Sequence, residues 1–92
     1  MDANEEAWLG GVAERLGLAG GTALDDESKR VLLRMTKVTA DATGIRYLAP
    51  LTAYVAGRAA GRAEAAGERF DLGAAADAVS ELAEEWGPPR GG

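Results

Sequence analysis

The sequence predicts an all-α fold, a compact antiparallel four-helix bundle with a central, glycine- and alanine-rich third helix. Apolar residues recur at three- and four-residue steps along most of the chain, which is the period of an amphipathic helix. Glycine or proline stands between these segments, where helices usually end. No alternating run of Val, Ile or Thr is long enough for a useful strand. Short connectors favour antiparallel neighbours.

The first predicted helix covers residues 5–16, with Asn4 as its N-cap and Gly17 as its left-handed stop. Its apolar residues follow helical spacing: Trp8, Leu9, Val12 and Leu16. The second helix begins near Thr22 or Asp26, since both can cap, and ends at Gly44. Its inner stripe is Leu24, Ser28, Val31, Met35, Val38 and Ala42, widened by Leu32 and Thr39.

The third predicted helix opens at Pro50, whose missing N–H costs nothing in a first turn. It covers residues 50–66, and Gly67 ends it. Asp71 caps the fourth helix, which extends to about Trp86. The predicted inner stripe of this helix is Ala75, Val79, Leu82 and Trp86.

The composition limits both the size of the core and the number of domains. A chain of 92 residues fits one domain, expected over residues 1–87, with a flexible tail at residues 88–92. Hydrophobic residues make up 47% of the chain but aromatic residues only 5%. The core must therefore depend on aliphatic residues and a few large anchors: Trp8, Trp86, Phe70, Tyr47 and Tyr54.

The chain contains neither cysteine nor histidine. This excludes disulfides, zinc–thiolate sites and Cys nucleophiles, and it removes the commonest general base and metal ligand. The acidic run at residues 25–27 lacks the long ligand loop of an EF-hand and fits a helix N-terminus. No phosphate-binding or dinucleotide motif is present. We therefore expect no catalysis, no cofactor and no metal.

The charge balance bears on the kind of partner. A net charge of −5 argues against electrostatic binding to nucleic acid or to an anionic membrane. The sequence starts with acidic residues and has no long apolar run, so neither a signal peptide nor a transmembrane span is expected. The expected location is the cytoplasm.

The third helix has small residues on most of its sides. Residues 53, 57, 61 and 65 form a row of glycine and alanine, with more alanines beside it. A helix that is apolar or small nearly all round is expected at the centre of a fold. Gly57 and Gly61 lower helix propensity by roughly 2 kcal/mol together, which close approach of a second backbone would offset. We expect that backbone to lie within the monomer, with a homodimer seam as the alternative.

Arg58 and Arg62 are the unusual residues of this helix, because they point toward Leu51 and Val55 rather than away from them. One interpretation lays their aliphatic stems on apolar surface, with the charged heads meeting acids of other helices, such as Asp77, Glu81 or Glu14. The other is a binding patch for a small anion, of phosphate, nucleotide or pterin type, near the positive start of the helix. Its candidate residues are Arg46, Tyr54, Arg58 and Arg62.

Segment charges are compatible with both interpretations. Residues 44–69 carry four arginines and two acids, whereas residues 70–92 carry one arginine and five acids. Complementary packing inside one bundle would account for this pattern without a ligand.

The segments WL at residues 8–9, LGL at 16–18 and APLTAYVAGRAAG at 49–61, preceded by Arg46, resemble a small actinobacterial all-helical domain family of unknown function. Members of that family occur alone or fused to molybdenum cofactor guanylyltransferase. The resemblance implies no established activity, but it suggests an accessory role near molybdopterin or nucleotide metabolism. Many members carry a histidine before the third-helix motif, and this chain has none, so a histidine-dependent role is not expected.

These observations predict a small cytoplasmic protein-interaction or accessory domain without catalysis of its own. Its partner would be another protein or a second copy in a homodimer, with Gly57 and Gly61 at the packing surface or interface. The alternative function is binding of a small anionic ligand by the arginines of the third helix.

Overall fold

A computed structural model describes residues 3–18 and 24–86. Within these ranges the chain forms four helices, α1 (Ala3–Arg15), α2 (Asp26–Thr43), α3 (Leu48–Ala65) and α4 (Leu72–Trp86), and contains no strand. The predicted all-α class is confirmed, and the arrangement is consistent with a four-helix bundle. The predicted tail at residues 88–92 and the candidate cap Thr22 lie outside the described residues.

Glycine ends three of the helices, as the sequence predicts. Gly17, Gly44 and Gly67 have φ angles of 76°, 71° and 71°, in the left-handed region that a side chain disfavours. At the ends of α1 and α3 the chain closes the same hydrogen-bonded motif. The N–H of Leu18 donates to the carbonyl of Ala13 at 2.9 Å, and that of Glu68 donates to Ala63 at 2.7 Å.

Aspartate caps α2 and α4. The Asp25 carboxylate accepts a hydrogen bond from the backbone N–H of Ser28 at 2.7 Å, and this bond holds the pKa of Asp25 below its ordinary value. Asp71 accepts in the same way from the N–H of Ala74 at 3.1 Å, which confirms its predicted role. The start of α2 at Asp26 matches the second of its two predicted starts, but the capping residue is Asp25 rather than Asp26.

Two predicted helix starts are wrong by two residues. Helix α3 begins at Leu48 rather than Pro50, because a turn closed by the Leu48 N–H to the Ile45 carbonyl at 3.1 Å leads directly into it. Pro50 still lies in the first turn, where no N–H is needed. Helix α1 begins at Ala3, so Asn4 lies inside the helix rather than capping it.

Helix α2, rather than α3, occupies the centre of the fold. It packs extensively against both α3 and α4. Met35 of α2 is fully buried and is the largest such side chain in the described part. The predicted inner stripe of α2 is confirmed, since each of its members is buried or half-buried: Leu24, Ser28, Val31, Met35, Val38 and Ala42, with Leu32 and Thr39.

Helix α3 packs through its small residues. The side that is half-buried consists mainly of alanine: Leu48, Ala49, Thr52, Ala53, Ala56, Ala60 and Ala63. These positions lie on one side of a helix at 100° per residue, and short side chains let the α3 backbone lie close to α2. The larger residues of α3 consequently face away from the core, and its predicted central position is wrong.

Most of the predicted aromatic anchors do not enter the core of the described chain. Trp8 and Leu16 of α1 are each 72% exposed, while Ala13 is the residue that α1 buries. Tyr47, Tyr54 and Trp86 are also exposed, and Phe70 is half-buried. Helical periodicity shows which apolar residues of α1 share a side, but it could not show whether another part of the same chain would cover that side.

The inner side of α4 is also shifted from the predicted stripe. Ala75 and Val79 are half-buried as expected, whereas Leu82 and Trp86 are more than half exposed. Ala76, at 1% exposure, takes the most buried position. On α4, as on α3, a small residue lies against the core and larger residues lie outside it. Both helices pack against α2.

A buried charge links α1 to α2. Lys29 is 5% exposed and its ammonium group forms an ion pair with Glu6 of α1. The same group lies 3.8 Å from the Asp26 carboxylate. Two carboxylates thus offset the loss of hydration of this lysine. No helix in the described ranges is both long and apolar enough to cross a bilayer.

Candidate functional site

The side of α3 that faces away from α2 carries its large residues. Six exposed residues at the start of the helix and along this side form what we name the α3 outer face: Tyr47, Leu51, Tyr54, Val55, Arg58 and Arg62. At 100° per residue all six fall within about one third of the helix circumference. The surface is therefore continuous, with aromatic and aliphatic groups toward the N-terminal end and two guanidinium groups toward the C-terminal end.

The two arginines of this face are free of ion pairs within the described chain. Arg58 and Arg62 are exposed, and the ion pairs among described residues all belong to Lys29, Arg30 and Lys37. The expected pairing with acids of other helices therefore does not occur in the described residues. Two positive charges, about 6 Å apart along the helix axis, are left to face solvent next to apolar side chains.

Arg46 belongs to a different part of the surface. It lies in the turn before α3, is exposed, and its carbonyl accepts a hydrogen bond from the N–H of Ala49 at 3.1 Å. The helical rise from Leu48 to Arg58 is about 15 Å. Arg46 is thus well separated along the helix axis from Arg58 and Arg62, and binding of one small anion by all four residues stays a prediction.

Gly57 and Gly61 lie beside the α3 outer face in open space. Both are exposed, and a Cβ atom added to either would meet no described residue within 4 Å outside its own helix. Within residues 3–18 and 24–86 no second backbone covers these glycines, so the expected packing inside the monomer is not found there. The prediction failed because α3 uses alanines, rather than these glycines, to approach α2.

Other apolar side chains remain exposed on the outer helices. Trp8, Val12 and Leu16 of α1 line a shallow surface depression together with Ala7, Gly11 and Arg15, and Leu82 and Trp86 of α4 are also exposed. Exposed apolar surface that extends along several helices is typical of chains that associate with other proteins. No group of three acidic residues in the described part is placed to hold a metal ion.

Only part of this surface could be predicted from the amino-acid sequence. Ligand binding was predicted for Tyr54, Arg58 and Arg62, with Arg46, but both tyrosines, Tyr47 and Tyr54, were also predicted to anchor the core. The position of Leu51 and Val55 on the same side as two arginines was the useful signal. Because arginine is rarely buried without a partner, that signal could have placed all these residues at the surface.

Over the described residues, these features define an all-helical domain with a mixed aromatic, aliphatic and basic face on α3. The chain belongs to a domain family of unknown function, DUF6457, which it matches over residues 2–91. This confirms the predicted membership of a family of unknown function. Comparison with curated proteins gave no match, and neither did comparison with solved structures.

Proposed function

We propose that this domain is a protein-interaction module without catalysis of its own, and that it docks a partner on the α3 outer face. The observation that supports this most is the inverted distribution of side chains on α3. Its alanines pack against α2, while Tyr47, Leu51, Tyr54 and Val55 are each more than half exposed. Burying such residues against a partner would supply the apolar contact that the core leaves unused.

The chemistry of the face fits a protein partner. Tyrosine and arginine are enriched at protein interfaces and are frequent among the residues that dominate binding energy. Leu51 and Val55 would form the water-excluded centre, and Arg58 and Arg62 would pair with acidic groups at the rim. Binding of a small anion by these two arginines is the second candidate, favoured by their lack of ion pairs in the described residues.

The cellular setting is part of the same proposal. A net charge of −5 disfavours nucleic acid and anionic membranes as partners, so we place the domain in the cytoplasm as an accessory protein. Its resemblance to actinobacterial domains that also occur fused to molybdenum cofactor guanylyltransferase suggests cofactor-related enzymes as hosts or neighbours. The domain would then act through contact rather than chemistry.

Photo-crosslinking in the source cell tests the docking function. We expect p-benzoylphenylalanine at Tyr54 to yield a covalent protein adduct of discrete mass, because that ring would lie inside the interface. Leu33 of α2 is the matched control, since it is 57% exposed but lies on another helix. Equal yields of adduct from positions 54 and 33 would contradict the proposal. So would the absence of any adduct when the photo-reactive residue is placed at Tyr54 and, in a second variant, at Val55.

A further inference from the structure

We propose that the partner of the α3 outer face is a second copy of this chain, which presents the exposed side of its α4. This inference rests on the proposed docking function and specifies who the partner is. Charge, side-chain size and residue spacing are complementary on α3 and α4, two helices that make no extensive contact with each other in the protomer.

The exposed side of α4 is small and acidic. Five exposed residues form what we name the α4 outer face: Ala74, Ala78, Glu81, Leu82 and Glu85. Glu81 and Glu85 take part in none of the ion pairs found among the described residues. They are therefore free to meet positive groups from outside the protomer.

The spacing of the two faces matches. On α3 the order is Leu51, Val55, Arg58 and Arg62, and on α4 it is Ala74, Ala78, Glu81 and Glu85. Both sets follow steps of four, three and four residues, so a parallel alignment brings all four positions together at once.

In this alignment each pair is complementary. Leu51 would lie over Ala74 and Val55 over Ala78, and a large side chain against a small one lets helices approach to about 8–10 Å. Arg58 would meet Glu81, and Arg62 would meet Glu85, in charge-assisted hydrogen bonds. The excess of arginine in residues 44–69 and the excess of acids in residues 70–92 would thus attract each other between protomers rather than within one.

Pairing of α3 with α3 of another copy is the less favourable arrangement. It would bring the Arg58 and Arg62 groups of both protomers together, and juxtaposed like charges oppose association. Pairing of α3 with α4 avoids this repulsion. When a twofold axis repeats the contact, α4 of the first protomer meets α3 of the second and a closed dimer results.

Sedimentation velocity of charge-reversal variants tests the contact. The wild-type protein should sediment as a dimer over a concentration series at low ionic strength, with weaker association at high salt. R58E/R62E alone and E81R/E85R alone should each weaken association on the order of 100-fold. The four changes together should restore it, because both signs are then reversed.

R30E/R34E is the matched control, since it reverses two exposed arginines four residues apart on α2. It should leave association unchanged, and circular dichroism should show that every variant is folded. A wild-type protein that stays monomeric, a control that behaves like R58E/R62E, or a folded fourfold variant that does not associate would each overturn the inference. If the wild-type protein forms head-to-tail oligomers instead of a dimer, their loss in the R58E/R62E and E81R/E85R variants would support the contact.

The outcomes separate this inference from the docking function beneath it. A monomeric wild-type protein that still yields a Tyr54 photo-adduct with a different protein overturns the second-copy partner and leaves the docking function standing. A monomeric protein without any Tyr54 or Val55 adduct overturns both. A Tyr54 adduct with the mass of two chains supports both.

Discussion

Replacing Met35 with alanine is expected to lower the free energy of unfolding by about 2–5 kcal/mol, the usual range for removing a large buried side chain. Met35 is fully buried in the helix that contacts both α3 and α4. A domain of 92 residues has a total stability of only about 5–14 kcal/mol. The variant should therefore be partly unfolded at moderate temperature.

Urea unfolding followed by circular dichroism measures this loss. Met35→Leu is the matched control, because it keeps the volume and should cost less than about 1.5 kcal/mol. Leu33→Ala, on an exposed part of the same helix, should change stability little. If Met35→Ala unfolds at the same urea concentration as the wild type, Met35 does not hold the three helices together.

Replacing both Gly57 and Gly61 with alanine is expected to stabilise the protomer by about 2 kcal/mol, since each exposed helical glycine costs about 1 kcal/mol relative to alanine. A Cβ atom at either position meets nothing within 4 Å outside its own helix in the described part of the chain, so no clash with those residues opposes the gain. The melting temperature of a domain of this size should rise by about 8–16 °C.

Gly17→Ala is the control of opposite sign. Its φ of 76° lies where alanine is strained, so this variant should be less stable than the wild type. Destabilisation by G57A/G61A would instead show that another backbone covers these glycines. If a partner's backbone lies along them in the assembly, the same variant should be more stable as a protomer yet associate more weakly in sedimentation.

Much of the fold could be predicted because it depends on local chemistry. Gly17, Gly44 and Gly67 end helices because they tolerate the left-handed conformation. Asp71 caps α4 as predicted, because its carboxylate accepts from the free N–H group of the residue three positions ahead. The inner stripe of α2 was also correct, since one apolar side with polar residues opposite leaves little ambiguity.

The placement of α3 could not be predicted from its composition. A helix with small residues on several sides can pack through any of them, and only the shape of its neighbours selects one. The sequence marked Gly57 and Gly61 as the packing surface, whereas Ala56 and Ala60 face α2. The candidate site could be predicted only in part for the same reason. Tyr47 is exposed because no element of the described chain covers it, and the local sequence does not show this.

The central claim is that α3 turns its alanines inward and its large residues outward, and thiol labelling tests it most directly. The chain contains no cysteine, so Val55→Cys and Ala56→Cys each introduce one reactive group at neighbouring positions. In dilute solution we predict that Cys at position 55 is alkylated faster, because position 55 is exposed whereas position 56 is half-buried on the side of α3 that packs against α2. Equal rates in folded protein, or faster reaction at position 56, would contradict the claim.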